Sequence, residues 1–339
     1  MNSIQPIQMI GTQRSGSNLL RLLLNQYPEI VAPHPPHILQ RFYPLLPVYG
    51  DLSNPENLKS LIDDICKLVE KNPVPWEGIS LDREKIMGNC RIPHIIEIFR
   101  GIYDEMALCN NASMWICKSM SNIDYADQME KLGLKPFYIY LVRDGRDVAC
   151  SFKKAIVGEK HVFHIARQWR KDQMASLQLK QRIDIKRFFQ ISYESLIHNP
   201  EMEMLRLSNF LKLNYDPAIF DYYHSRESKN TASAGKMWKN VCKPIFNDNS
   251  RKYLKELSME EILIFESVAG DLLESLGYHL VYPDLSKKYL ISKEEIARFE
   301  LENTLLKEQS MHFADPEGIK LRQPQDELIT GIKNHLTTI

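Results

Sequence analysis

Residues 11–20, Gly-Thr-Gln-Arg-Ser-Gly-Ser-Asn-Leu-Leu, set a cation, small hydroxyls and a glycine directly after an apolar run. That run, Pro6-Ile7-Gln8-Met9-Ile10, reads as a short strand, and a leucine-rich helical pattern follows the loop. Strand, tight turn and helix form the joint that holds a phosphate on backbone N–H groups. Gly16 permits close approach, the N–H groups of Ser15 to Asn18 face the anion, and Ser15, Ser17 and Asn18 add side-chain donors. Ser15 or Ser17 is also placed to cap the helix. Nucleoside-triphosphate loops need a lysine after the second glycine of G-x-x-x-x-G-K-[ST]. Here Ser17 stands at that point and the charge lies ahead of the glycine, at Arg14. The loop suits a different phosphate-like group.

A second stretch, Tyr-Leu-Val-Arg-Asp-Gly-Arg-Asp-Val-Ala-Cys-Ser-Phe at 140–152, carries Arg143 at the end of a strand candidate and Ser151 about two helical turns later. An arginine fork and a hydroxyl at the carboxyl edge of a parallel sheet suit a second phosphate. Two anion sites on one sheet suggest a nucleotide phosphorylated at both ends. The competing reading pairs Arg143, Asp144, Arg146 and Asp147 with one another on a solvated surface.

The elements that must position these residues alternate. Strands are expected at 4–11, 113–119, 135–144 and 186–194. Helices are expected at 17–26, 60–70, 92–108, 122–133, from 145, and at 162–180 and 200–211. Four prolines forbid regular structure across 27–37. The alternation predicts an α/β fold, a three-layer parallel sheet with helices on both faces. Residues 221–244 show weak periodicity and read as a long loop; helices return at 258–277 and 292–308, before a polar tail.

The segments GTQRSGSNLLRLLL and LVRDGRDVACSF together resemble the two nucleotide-binding segments of sulfotransferases that use 3'-phosphoadenosine 5'-phosphosulfate. The resemblance runs over about residues 7–280 and is closest in style to the tyrosylprotein branch and to bacterial sulfotransferase-family proteins. It implies the P-loop-nucleotide-hydrolase-like sulfotransferase fold over 1–285, with a mainly helical acceptor-side insertion over about 32–113 and a helical C-terminal extension over 286–339. In the first loop it implies that Gln13, Arg14, Ser15, Gly16, Ser17 and Asn18 hold the 5'-phosphosulfate. Arg143 and Ser151 would take the 3'-phosphate. ICKSMSN would bring Lys118 to the sulfuryl end, and Tyr193 would approach the nucleotide. A flap over residues 228–239, with Lys236, Trp238 and Lys239, would cover the adenosine, and Lys243 would contact the nucleotide. Catalysis would rest on Arg14, Lys118 and a base. Where the tyrosylprotein and heparan branches keep a glutamate, this chain reads Pro-His-Pro-Pro-His, so His34 becomes the candidate base, with His37, His94 and Glu97 behind it.

The implied reaction is in-line sulfuryl transfer to a hydroxyl acceptor of open identity, a small molecule, carbohydrate, lipid or peptide tyrosine. 3',5'-ADP is the product. No metal is demanded, and the sequence offers no H-E-x-x-H or similar ligand set. Lysine plus arginine and aspartate plus glutamate both number 43, so global charge argues for neither nucleic acid nor an anionic membrane. Six cysteines without a C-x-x-C pair read as reduced thiols. With no leader pattern and no long apolar run, a cytoplasmic protein is expected. The C-terminal helices offer a surface for a homo-oligomer. Two other functions stay open on residues alone: a P-loop kinase or nucleotide hydrolase, with Asp144 as a magnesium ligand, and a non-catalytic nucleotide-binding protein.

Overall fold

A computed structural model describes residues 4–312 and 315–336. Strands β1 (Gln5–Ile10), β2 (Ile30–Val31), β3 (Met114–Cys117), β4 (Phe137–Val142) and β5 (Phe188–Ser192) form one sheet in the order β2-β3-β1-β4-β5. Every ladder is parallel, and Ile7 pairs with Ile116 on one side and Phe137 on the other. The chain leaves β1 for strands on one flank and later returns to the other. The carboxyl ends of β3, β1 and β4 therefore meet at a topological switch point, where α/β sheets bind ligands.

Helix α1 (Ser17–Leu24) follows β1, and five helices separate β2 from β3: α2 (Ile38–Phe42), α3 (Leu46–Tyr49), α4 (Pro55–Glu70), α5 (Arg83–Gly88) and α6 (Ile95–Cys109). Then come α7 (Ala126–Lys131) before β4, and α8 (Gly145–Lys154) and α9 (Val162–Arg182) before β5. After β5 run α10 (Tyr193–His198), α11 (Pro200–Leu211), α12 (Arg226–Ser233) and α13 (Tyr253–Glu256). The last are α14 (Met259–Ser275), α15 (Pro283–Lys288), α16 (Lys293–His312) and α17 (Pro316–Leu336).

Side chains alternate across the pleat, and here both faces are apolar. Ile7, Met9, Ile116, Ile139, Leu141 and Ile191 pack against the leucines of α1 and against α10 and α11. On the opposite face Tyr138, Tyr140 and Val142 meet Leu179 of α9, while Trp115 and Cys117 join the helical insertion between β2 and β3. The two tyrosines keep their hydroxyls satisfied, Tyr138 on Glu130 at 3.1 Å and Tyr140 on Gln173 at 2.5 Å. The expected three-layer α/β sheet is what forms. Among the described residues no helix is long and apolar enough to cross a membrane.

One expectation is corrected, and another, the helical C-terminal extension, is met. Residues 221–244 are no loop: a 3-10 helix (Pro217–His224), α12 and a second 3-10 helix (Lys236–Cys242) occupy them. The inward face of α12 is polar, which hides its periodicity. Ser228 Oγ donates to the Tyr222 carbonyl at 2.7 Å, and Thr231 Oγ1 accepts from Arg21 at 2.8 Å. The polar tail is likewise a helix, α17, which buries Ile329 and Ile332 beside the insertion. Its Gln325 donates to the Leu68 carbonyl at 2.7 Å.

One buried polar residue in β1 shapes the turn after β3. Gln8 Nε2 donates to the carbonyls of Cys117 (2.9 Å) and Ser119 (3.2 Å), and Oε1 accepts from Asn122 at 3.1 Å. Lys118 is thereby fixed between two tethered neighbours. Gln8→Leu strands these partners in a dry interior, so it should cost about 1–3 kcal/mol, read as a lower urea midpoint at unchanged m value.

Candidate active site

The loop from β1 to α1 is built on two left-handed residues. Gly16, at φ 89°, starts α1 with no side chain capping it, so neither serine serves as the expected cap. An uncapped helix start leaves its first N–H groups for a ligand. A Cβ on Gly16 would fall 2.3 Å from Tyr193 Cδ2, so glycine is required for space as well as for backbone angle. Arg14 takes φ 71°, a strained conformation for an arginine, of the kind that persists where the surroundings enforce it. Its Nε donates to Ser151 Oγ at 3.0 Å, and its carbonyl accepts from Arg143 Nη1 at 3.1 Å.

Arg143, at the end of β4, also donates to the Asn249 carbonyl at 2.8 Å and lies 4.3 Å from the Tyr193 ring centroid. Tyr193 Oη in turn accepts from Asn249 Nδ2 at 2.7 Å. The RDGRD run is buried instead of solvated. Asp144 caps α8 and clamps Arg146, which also binds Glu266, and Asp147 accepts from the N–H groups of Arg251 and Tyr253. Asp144 is thus fully engaged in structure, which removes the feature favouring a kinase.

Lys118 leaves β3 beside these arginines. Burial, then Arg21 and Arg14, push its ammonium down to about 7. Burial and Arg143 push Arg14 down to about 10. Ser15 Oγ, Ser119 Oγ and Arg143 Nε are buried without a hydrogen-bond partner. The depressed cations and the unpartnered Arg143 Nε suit an anionic ligand.

The proline-rich segment is held from below, since the His34 carbonyl accepts from Asn72 (2.9 Å) and Trp76 (2.7 Å). The His34 ring is buried with neither nitrogen partnered. Burial, followed by Lys118 and Arg21, holds it well below the ordinary histidine range, so it is neutral. It meets Trp238 edge-on at 4.9 Å. His37 starts α2 at φ 60°, and burial with Lys118 pushes it down to about 3.

A cleft of about 1300 Å³ joins these groups. Gln13, Arg14, Gly16, Ser17, Asn18, His34, His37, Lys118, Arg143, Ser151, Tyr193, Lys236 and Trp238 line it. Ser15 does not reach the wall, and Lys239 and Lys243 are exposed away from it. His94 and Glu97 also stand apart: His94 caps α6, and Glu97 is clamped by Arg91 and Arg100. Sequence reasoning missed Arg21, the one charge in the apolar run 19–24. Arg21 is fully buried and ties α1 to α12 through Glu227 (2.5 Å) and Thr231. It also missed Asp172 of α9, pushed up to about 7 by burial and bonded to Gln168 at 2.6 Å, and Arg322 of α17.

A parallel α/β sheet with a strained, arginine-bearing loop after β1 and a second arginine after the adjacent strand defines an α/β protein with a cationic cleft at its switch point. Residues 6–217 match the sulfotransferase family, and the chain belongs to that family of transferases. It is 24% identical over 288 residues to protein-tyrosine sulfotransferase A of Caenorhabditis elegans, covering 82% of this chain and 68% of that protein. Its fold is similar to the sulfotransferase domain of the Synechococcus PCC 7002 olefin synthase (TM-score 0.53, 21% identity, 79% of this chain and 96% of that one). It is also similar to the sulfotransferase domain of the curacin biosynthetic pathway (TM-score 0.56, 20% identity, 83% and 99%).

Gly16→Ala should be severe. The backbone penalty alone is about 1–2 kcal/mol, and the Tyr193 ring must also move. A melting temperature within a degree of wild type, with Tyr193 undisturbed, would show that the loop relaxes freely.

Proposed function

We propose that the cleft binds 3'-phosphoadenosine 5'-phosphosulfate and that the protein transfers its sulfuryl group to an acceptor hydroxyl by in-line displacement. The observation carrying this reading is the convergence of Arg14, Lys118 and Arg143 on one sheet edge, short of counter-charge and with Arg143 Nε unpartnered. Those groups fit a ligand with an anion at each end. In this reading the α1 N–H groups, Ser17 and Asn18 hold the 5' end, and Arg143, Ser151 and Tyr193 hold the 3'-phosphate. Lys236 and Trp238 close over the nucleoside, with Lys239 and Lys243 joining from the surface.

Arg14 stabilises charge that develops on the leaving phosphate, and it acts electrostatically because its proton is retained. Lys118 neutralises the sulfuryl oxygens. His34, neutral and with two free nitrogens, accepts the hydroxyl proton. The six free thiols support a cytoplasmic location, and the exposed Leu301 and Leu305 of α16 support self-association through the C-terminal helices.

Titration with 3',5'-ADP tests the donor site. Lys118 is depressed in the free protein, and an adjacent anion favours its charged form, so binding should take up a proton above pH of about 7. Affinity should weaken as pH rises from there, by up to about tenfold per unit. Calorimetry in two buffers of different ionisation enthalpy should show this uptake in wild type and its loss in Lys118→Met. Magnesium-ATP binding as tightly as 3',5'-ADP would refute the donor assignment.

His34→Ala should lower the turnover rate by about 10²–10⁴-fold while leaving 3',5'-ADP binding intact. Because His34 is held below its ordinary pKa of about 6.5, the wild-type rate should fall only below that pH. A rate loss confined to His37→Ala would move the base to His37.

A further inference from the structure

Among the cations that line the cleft and have no task in the donor reading, Arg322 stands out for a buried, unpartnered guanidinium nitrogen. Arg322 lies on α17, outside the 6–217 segment that matches the family, yet it lines the same cleft. Its Nη1 donates to the Gly318 carbonyl at 2.8 Å, within its own helix. Its Nη2 is buried and has no acceptor. The guanidinium carbon lies 5.3 Å from the centroid of the Trp238 ring, and that same ring meets His34 at 4.9 Å. Arg322 is therefore one ring removed from the proposed base.

Neighbouring acids leave it unpaired. Asp326 turns to Arg41 at 3.3 Å, and Asp315, though near enough to be felt, forms no ion pair with Arg322. Burial depresses Arg322, with Arg41 adding to the effect. A buried guanidinium nitrogen without an acceptor is a costly arrangement, and an oxyanion is the partner whose planar geometry matches it best.

We propose that Arg322 forms an acceptor subsite for an oxyanion, so that the hydroxyl compound sulfated here carries a carboxylate, phosphate or sulfate of its own. The inference rests on the acceptor hydroxyl approaching His34, as in the function proposed above. The C-terminal helix then completes the acceptor pocket, and Arg322 sets its specificity. The oxyanion would accept from the unpartnered Arg322 Nη2 and direct the hydroxyl toward the imidazole.

The test uses the full chain with its donor site saturated by 3',5'-ADP and matched phenols as probes. 4-Hydroxyphenylacetate and 4-hydroxyphenyl phosphate carry the oxyanion; 2-(4-hydroxyphenyl)ethanol lacks it. The anionic probes should bind at least about tenfold more tightly than the neutral one, the size expected of one charge-assisted pair. In Arg322→Gln the three should converge to within about twofold, whereas Arg322→Lys should keep part of the preference. Affinity for 3',5'-ADP should be unchanged in both variants. Neutral and anionic probes binding alike to wild type, saturable binding of none, or a preference that survives Arg322→Gln would each overturn the proposal. Failure of 3',5'-ADP to bind would instead count against the donor reading, and the same probes titrated without it would still read the Arg322 subsite.

Discussion

Arg21, Lys118 and Arg143 are buried and Arg14 half-buried around one sheet edge, with Glu227 as the close carboxylate on Arg21 and Asp147 only at 3.9 Å from Arg143. Like charges in a dry interior repel and lose their hydration, and both costs show in the depressed Arg14 and Lys118. The rest of the fold has to hold this arrangement by other means. Continuous apolar packing on both faces of the sheet does so, as do neutral tethers: Gln8 under the Lys118 turn, the Arg14 carbonyl on Arg143, and Asn72 with Trp76 under His34. Other buried charges are matched by close partners, as Arg146 is by Asp144 and Glu266.

Much of the architecture was legible because its signals are local. Apolar runs at β1, β3, β4 and β5 alternate with helical spacing, and that alternation is enough to specify a parallel sheet. Arg14, Gly16, Arg143 and Ser151 stood out since two loops at successive strand ends carried the same chemistry. Parallel pairing of β1 with β4 then brings them together. The short β2, only Ile30–Val31, was hidden inside a proline-rich stretch.

What stayed unread depends on partners distant in sequence. Arg21 looks like an intrusion in a leucine helix until α12 supplies Glu227 and Thr231. Helix α12 looks like a loop because the surface it meets is that arginine, so its buried stripe is serine and threonine. Helix α17 looks like a tail since its anchoring residue is a glutamine bonded to a carbonyl of α4. Neither periodicity nor motif reports a polar contact of this kind. The serine cap expected for α1 fails for a related reason: Tyr193, remote in the chain, occupies the space over Gly16.

The bond from the Arg143 side chain to the Arg14 carbonyl joins the two arginines that the proposed function assigns to the anions into one caliper. Because one jaw is set by the strained backbone of the other, their separation does not adjust independently to the molecule between them. Such a device measures length as well as charge. A nucleotide with its phosphates gathered at one end fills one jaw and leaves the other open, whereas one charged at both ends spans the gap. Under the proposed function, selectivity among nucleotides follows from a distance held by the main chain, and a substitution that loosens the loop would widen the range of ligands accepted before it abolished binding.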